Sequence, residues 1–143
     1  MKRRTVLRAL PLAGIVPGLA AEAFADSQDA GNAAVYELRV YPTYEGKLDD
    51  LLKRFRDHTM ALFERHGMKN VAYWTPTDAP LKGKTLIYIL KHPSREAATA
   101  NWKAFQDDPE WQQVRNKSEE PGKIVEKVDS TFMALTDFSP KMG

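Results

Sequence analysis

Hydrophobic and polar positions change their period along this chain, and the changes mark its elements. From Val35 to Tyr41 two faces alternate. Tyr36, Leu38 and Val40 are apolar on one, while Glu37, Arg39 and Tyr41 are polar or amphipathic on the other, the period of a strand. Pro42 ends it, because proline has no N–H for a sheet ladder. From Leu48 the period lengthens. Leu48, Leu51, Leu52, Phe55, Thr59, Leu62, Phe63 and His66 recur at steps of three and four, the apolar stripe of an amphipathic helix. Gly67 closes it, with Arg65 and His66 in the last turn opposite the negative end of the helix dipole.

Lys69 to Thr77 reads as a second strand and Thr85 to Lys91 as a third, joined by a Pro- and Gly-containing turn that predicts an antiparallel hairpin. In the third strand Ile87 and Ile89 share one face, opposite Leu86, Tyr88 and Leu90. Ser94 is placed to cap a helix over Arg95 to Gln106, and Asp107 or Asp108 to cap a shorter one with Pro109 at its first position. Pro121-Gly122 breaks that helix. Lys123 to Phe138 is the last strand region, anchored by Phe132, Met133 and Leu135, with a bulge or bend expected at Asp129-Ser130.

The order strand, helix, strand, strand, helix, strand predicts an α+β fold, a ferredoxin-like βαββαβ antiparallel sheet with two main helices on one face. The expected facing is that Tyr36, Leu38 and Val40 meet the helices. Glu37, Arg39, Tyr41 and Tyr88 then look out from the bare face, where a second copy would cover them in a homodimer, a dimeric α/β barrel.

The first residues do not fit this domain. Lys2-Arg3-Arg4 precedes an apolar stretch broken by Pro and Gly, which ends at Ala23-Phe24-Ala25. The pattern is that of a cleaved secretory signal over residues 1–25, and Arg3-Arg4 resembles the twin-arginine export signal. The stretch is too short and too broken for a membrane anchor. A flexible segment, 26–33, and the domain proper, 34–143, follow. The expected location is periplasmic or secreted, and N-terminal sequencing of exported protein should begin at Asp26. Removal of the leader alters the charge: residues 1–25 hold four cations and one acid, so a chain of formal charge +2 becomes −1. No basic surface remains to recruit nucleic acid. With no cysteine, the chain has no disulfide and no thiolate metal or iron–sulfur site, and it must rely on core burial.

The residues Tyr36-Glu37-Leu38-Arg39-Val40-Tyr41, Gly46-Lys47, Phe55, Arg65-His66-Gly67 and Tyr73-Trp74 resemble the NIPSNAP family. Ser94-Arg95-Glu96-Ala97 and Asp108-Pro109-Glu110-Trp111 are similar to its second-helix signature. The resemblance spans residues 35 to about 137. It implies a ferredoxin-like, dimeric α/β barrel fold and no settled chemistry. An exported member departs from the mitochondrial setting of eukaryotic members.

Candidate chemistry is sparse. His58 and His66 lie more than two turns apart on one helix, too far to share a metal, and no HExxH, calcium-loop or phosphate-loop pattern occurs. No metal and no cofactor is expected. His66 reads as a helix-ending residue. His58, at the border of the apolar stripe, is either a half-exposed surface histidine or the ionisable group of a pocket walled by Tyr36, Trp74 and Trp102; those aromatics are otherwise ordinary core. Glu37 and Arg39 read as structural, with Arg39 a possible holder of an anion. Two functions follow from different classes. One is a homodimeric module that binds a small apolar ligand or another protein. The alternative is a cofactor-free monooxygenase or haem-handling enzyme of the kind this barrel hosts, an argument from fold analogy.

Overall fold

The computed structural model describes residues 33–142. The signal-peptide and flexible-segment readings lie outside the described residues. Four strands form one antiparallel sheet: β1 (Val35–Pro42), β2 (Lys69–Trp74), β3 (Thr85–His92) and β4 (Asp129–Met133), in the spatial order β2-β3-β1-β4. This is the ferredoxin-like α+β arrangement. The first helix, α1, runs continuously through three segments: Leu48–Arg54, a π-helical turn at Phe55–Thr59, and Met60–Arg65. α2 (Arg95–Asp107) and the shorter α3 (Pro109–Ser118) follow.

The predicted ends are made by the expected groups. Ser94 Oγ accepts from the Ala97 N–H at 3.0 Å, and Asp108 Oδ1 accepts from the Glu110 N–H at 2.8 Å with Pro109 at the first helical position. At the end of α1 the Met68 N–H reaches back to the Phe63 carbonyl and the Gly67 N–H to that of Glu64, while Gly67 takes φ +82°. That pairing is the Schellman closure, and it drops Met68, fully buried, onto the core.

The facing of the sheet is the reverse of the expectation. Leu86, Tyr88 and Leu90 of β3 lie under the helices with Tyr41, Leu51, Phe55, Leu62, Phe63, Phe105 and Trp111, and register sets Glu37, Arg39 and Tyr41 opposite Leu90, Tyr88 and Leu86 on that same side. The proposed dimer-face residues Glu37, Arg39, Tyr41 and Tyr88 are therefore interior residues. Leu38, Val40, Ile87 and Ile89 occupy the bare face, half-buried, with Trp74 beside them. Alternation defines two faces without saying which one the helices cover. The polar look of Glu37 and Arg39 pointed outward because their partners come from remote parts of the chain. Beside Arg39, Tyr88 stacks on Tyr73 at 5.0 Å between centroids and meets Phe55 edge-on at 5.2 Å.

The last strand is also shorter than expected. Only Asp129–Met133 pairs with β1, and upstream of it an isolated bridge joins Val125 to Thr43. Ile124 is fully buried there, and Leu135 and Phe138 are exposed beyond the strand. β2 carries a register shift between Asn70 and Ala72, the one irregularity in the hairpin ladder. Among the described residues, no helix is long and apolar enough to cross a membrane.

Candidate functional site

Glu37 sits under the helices with about 1 % of its surface exposed, and four donors from four elements converge on its carboxylate. Oε1 accepts from His92 Nε2 at 2.8 Å and from Trp102 Nε1 at 2.8 Å. Oε2 accepts from Arg39 Nη1 at 2.6 Å and from Ser130 Oγ at 2.6 Å. Burial alone raises the acid's pKa, but the bonds from His92, Ser130 and Trp102, with the Arg39 charge, outweigh it and hold the group at about 2. Glu37 is therefore a fixed anion. Because it can only accept, the network assigns the donated proton to His92 Nε2, which leaves Nδ1 buried without a partner among the described residues.

Arg39 continues the chain of bonds. Its Nε donates to Tyr88 Oη at 3.0 Å and its Nη2 to Tyr41 Oη at 2.7 Å, while Tyr88 donates to Tyr41 at 2.7 Å. The guanidinium lies 4.0 Å above the Trp102 ring centre. Burial opposes its charge, but the Tyr41, Tyr88 and Glu37 oxygens prevail and its pKa is raised. Burial pushes the Tyr88 phenol up as well. All three groups stay in one protonation state across ordinary pH, so they set a permanent polar base rather than a proton relay.

That base floors a chamber of about 170 Å3 between sheet and helices. Its walls include Phe63, Trp102, Phe105 and Trp111; Gln106, Arg115 and Val128 lie toward solvent. The π-helical turn supplies one side. Phe55 and Thr59, four positions apart, both lie on the buried side of α1, where Thr59 Oγ1 donates to the Arg54 carbonyl at 3.3 Å. Arg54 is drawn in with them and is only 6 % exposed.

Of the pocket residues read from the sequence, Trp102 alone belongs to this chamber. Tyr36 points to the other side of the sheet, where it lines a recess of about 240 Å3 with Ile89, Met133 and the C-terminal residues Leu135 and Met142. Trp74 stands 48 % exposed on the bare face. His58 is exposed on the outside of α1, in a groove of about 560 Å3 shared with α3. Charged side chains of both signs line that groove, Asp50, Lys53, Asp57, Lys117 and Glu120 among them, and it is a solvated cleft with no buried polar group specific to it. Arg54 separates it from the chamber. His66 accounts for itself as expected: its Nε2 meets Asp108 Oδ2 at 2.7 Å, tying the end of α1 to the start of α3. The reading missed Arg54, His92 and Ser130. His92 looked like a loop residue before Pro93, and nothing local distinguishes Ser130. Among the described residues no group of three or more His, Asp or Glu side chains is placed to hold a metal ion.

The residues that build this site lie inside a single match: the NIPSNAP family model covers residues 36–140. The chain belongs to the NIPSNAP family. No curated protein matches it. Among solved structures it is similar to an uncharacterized NIPSNAP-like domain protein from Burkholderia xenovorans (16 % identity, TM-score 0.67), over 78 % of this chain and 93 % of that one. A NIPSNAP family protein of unknown function from Agrobacterium tumefaciens is similar at 21 % identity and TM-score 0.66, over 78 % and 96 %. A monooxygenase of Streptomyces coelicolor, solved with the ligand nanaomycin D, matches at 14 % identity and TM-score 0.54, over 77 % and 95 %. At these identities the likeness is one of fold.

Proposed function

We propose that this NIPSNAP domain is a binding module that takes one small, largely apolar ligand in the chamber between sheet and helices, and that it works as a homodimer joined through the bare sheet face. The observation that carries the reading is the chamber itself, an aromatic-walled cavity over a hydrogen-bonded polar floor. Its size matters. At about 170 Å3 it is well below the roughly 300–1,000 Å3 of sites for drug-sized ligands. An apolar cavity of about 150 Å3 is known to hold one benzene ring. A single-ring compound fits; a porphyrin does not.

Binding is favoured over catalysis by the state of the polar groups. Glu37 has four donors and Arg39 three acceptors, so neither is available to move a proton. The monooxygenase among the structural neighbours gives the enzymatic reading its fold analogy, and that analogy names no group here. His58, the alternative ionisable group of a pocket in the sequence reading, lies on the outer surface.

The test is calorimetric titration with benzyl alcohol, benzamide and benzoate. The expected result is saturable one-site binding of at least one probe, abolished in Val125→Phe, which fills the chamber from its wall. Failure of all three to bind would overturn the reading, as would binding that survives Val125→Phe.

A further inference from the structure

Among the described residues, Arg54 alone lines both the inner chamber of about 170 Å3 and the outer groove of about 560 Å3 between α1 and α3. Its side chain is the partition between them, and the partition is loosely fastened. Arg54 Nη1 reaches Ser118 Oγ at 3.1 Å and Glu119 Oε2 only at 3.5 Å, longer than an ordinary hydrogen bond. Arg39 on the chamber floor is the contrast, with Glu37 at 2.6 Å and two phenol oxygens at 2.7 and 3.0 Å. Burial lowers the Arg54 pKa in spite of Glu119, whereas the oxygens around Arg39 raise its pKa. A buried cation with so weak a partner is costly where it stands.

A better place lies on the groove side. No carboxylate lines the chamber, but Asp50, Asp57 and Glu120 line the groove. Asp50 precedes Arg54 by one turn of α1, the spacing at which helix side chains pair. It is exposed, and its own contact with Lys47 Nζ is long at 4.0 Å. Rotation about side-chain torsions carries the Arg54 guanidinium from the partition to these acids without moving the helix.

Size gives that movement a use. The chamber takes one ring, since an apolar cavity of about 150 Å3 holds one benzene. The groove falls within the roughly 300–1,000 Å3 of ligand sites. Val114, Pro121 and the stems of Lys53 and Lys117 give it apolar wall. We infer that chamber and groove are the inner and outer halves of one site, parted by Arg54 as a gate, and that the ligand is an uncharged aromatic compound at least two rings long. One ring lies in the chamber and the remainder in the groove. An uncharged compound suits both halves, because Glu37 balances Arg39 on the floor and Lys53 is paired with Asp57 at 2.7 Å in the groove. This rests on the chamber being a ligand site and names the class of ligand.

The full chain is titrated with benzyl alcohol, which has one ring, and with 4-biphenylmethanol, which adds a second in line. The biphenyl is expected to bind roughly tenfold more tightly, the effect of taking part of a second ring out of water. Gln113→Trp, at an exposed position of α3, fills the groove and should remove that preference. Asp50→Asn combined with Asp57→Asn takes away the outward partners of the gate, and should weaken the biphenyl several-fold relative to benzyl alcohol. In Arg54→Ala, which has no gate to hold open, the same pair should leave the ratio of the two affinities unchanged. If Arg54→Ala fails to fold by circular dichroism, the paired substitution at the two exposed aspartates decides the matter in the unaltered background. A biphenyl that fails to bind where any single-ring probe does, or a preference that either Gln113→Trp or the aspartate pair leaves untouched, would overturn the joined site and leave the chamber standing for single rings. Binding of neither compound, nor of benzamide or benzoate, would overturn both readings.

Discussion

Glu37 shows how far a single residue's surroundings can depart from its sequence context. In the sequence it is one polar position of an alternating strand; in the fold it is an ion held below the sheet by His92, Trp102, Ser130 and Arg39. Buried ion pairs are weak stabilisers when intact and strong destabilisers when broken. Glu37→Ala should therefore lose about 3–5 kcal/mol in urea unfolding, because it strands the Arg39 guanidinium. The same carboxylate predicts an acid limit. Its pKa falls from an ordinary 4.5 to about 2 on folding, so the folded state binds fewer protons than the unfolded state between these values. The stabilisation is complete above about pH 4.5 and fades as pH drops toward 2, a loss of about 3 kcal/mol from this one group. Unfolding measured from pH 6 to 2 should show that slope, and Glu37→Gln should flatten it. A slope unchanged in Glu37→Gln would mean that other carboxylates set the acid limit. None of this was legible locally. The three groups that overcome the burial penalty lie 55, 65 and 93 positions away along the chain.

Elements were more legible than faces. Caps and breakers act on their near neighbours, which is why Ser94, Asp108, Pro109 and Gly67 mark real ends. The hairpin of β2 and β3 and the outline of α1 follow from periodicity for the same reason. The π-helical turn at Phe55–Thr59 left no trace, because Leu51, Phe55, Thr59 and Leu62 keep steps of three and four that an unbroken α-helix would also show. Arg54, a cation at the residue before that turn, is buried. Gly67 offers a quantitative check on the closure of α1. A Cβ there would stand 2.8 Å from Asn101 Nδ2 on α2, besides the cost of φ +82° to any other residue. At Gly83, φ is +74° and a Cβ would meet open space. Gly83→Ala should lose about 1–2 kcal/mol from backbone conformation alone, and Gly67→Ala more, since Asn101 must move. Urea denaturation of both variants compares them directly. Equal losses would show that Asn101 yields freely and that the contact between α1 and α2 at this point is loose.

At the scale of the molecule, the reversed facing strengthens the case for a pair and changes its chemistry. The expected interface of Glu37, Arg39, Tyr41 and Tyr88 would have needed buried charges to find partners across a two-fold axis. The actual bare face presents Leu38 beside Ile89 and Val40 beside Ile87 in cross-strand register, with Trp74 next to Ile87 on β2. Five apolar side chains on one sheet face form the kind of patch that soluble monomers seldom leave in water, and a two-fold pairing would bury the same residues on both copies. Two substitutions separate interface from core although their positions are three apart in sequence. Ile87→Asp places a carboxylate in the middle of the bare face, where pairing would strand it without a partner; the monomer, in which Ile87 is half-buried and so keeps contact with water, should stay folded. Leu90→Asp places the same group under the helices at a site with no exposure at all, and it should unfold the chain. Sedimentation equilibrium should give a dimer for the unaltered protein and a monomer for Ile87→Asp, with an unchanged circular dichroism spectrum. The Leu90→Asp spectrum should be that of an unfolded chain. A monomer for the unaltered protein at micromolar concentration would defeat the pairing. An Ile87→Asp variant that remains dimeric would place the contact on some other surface.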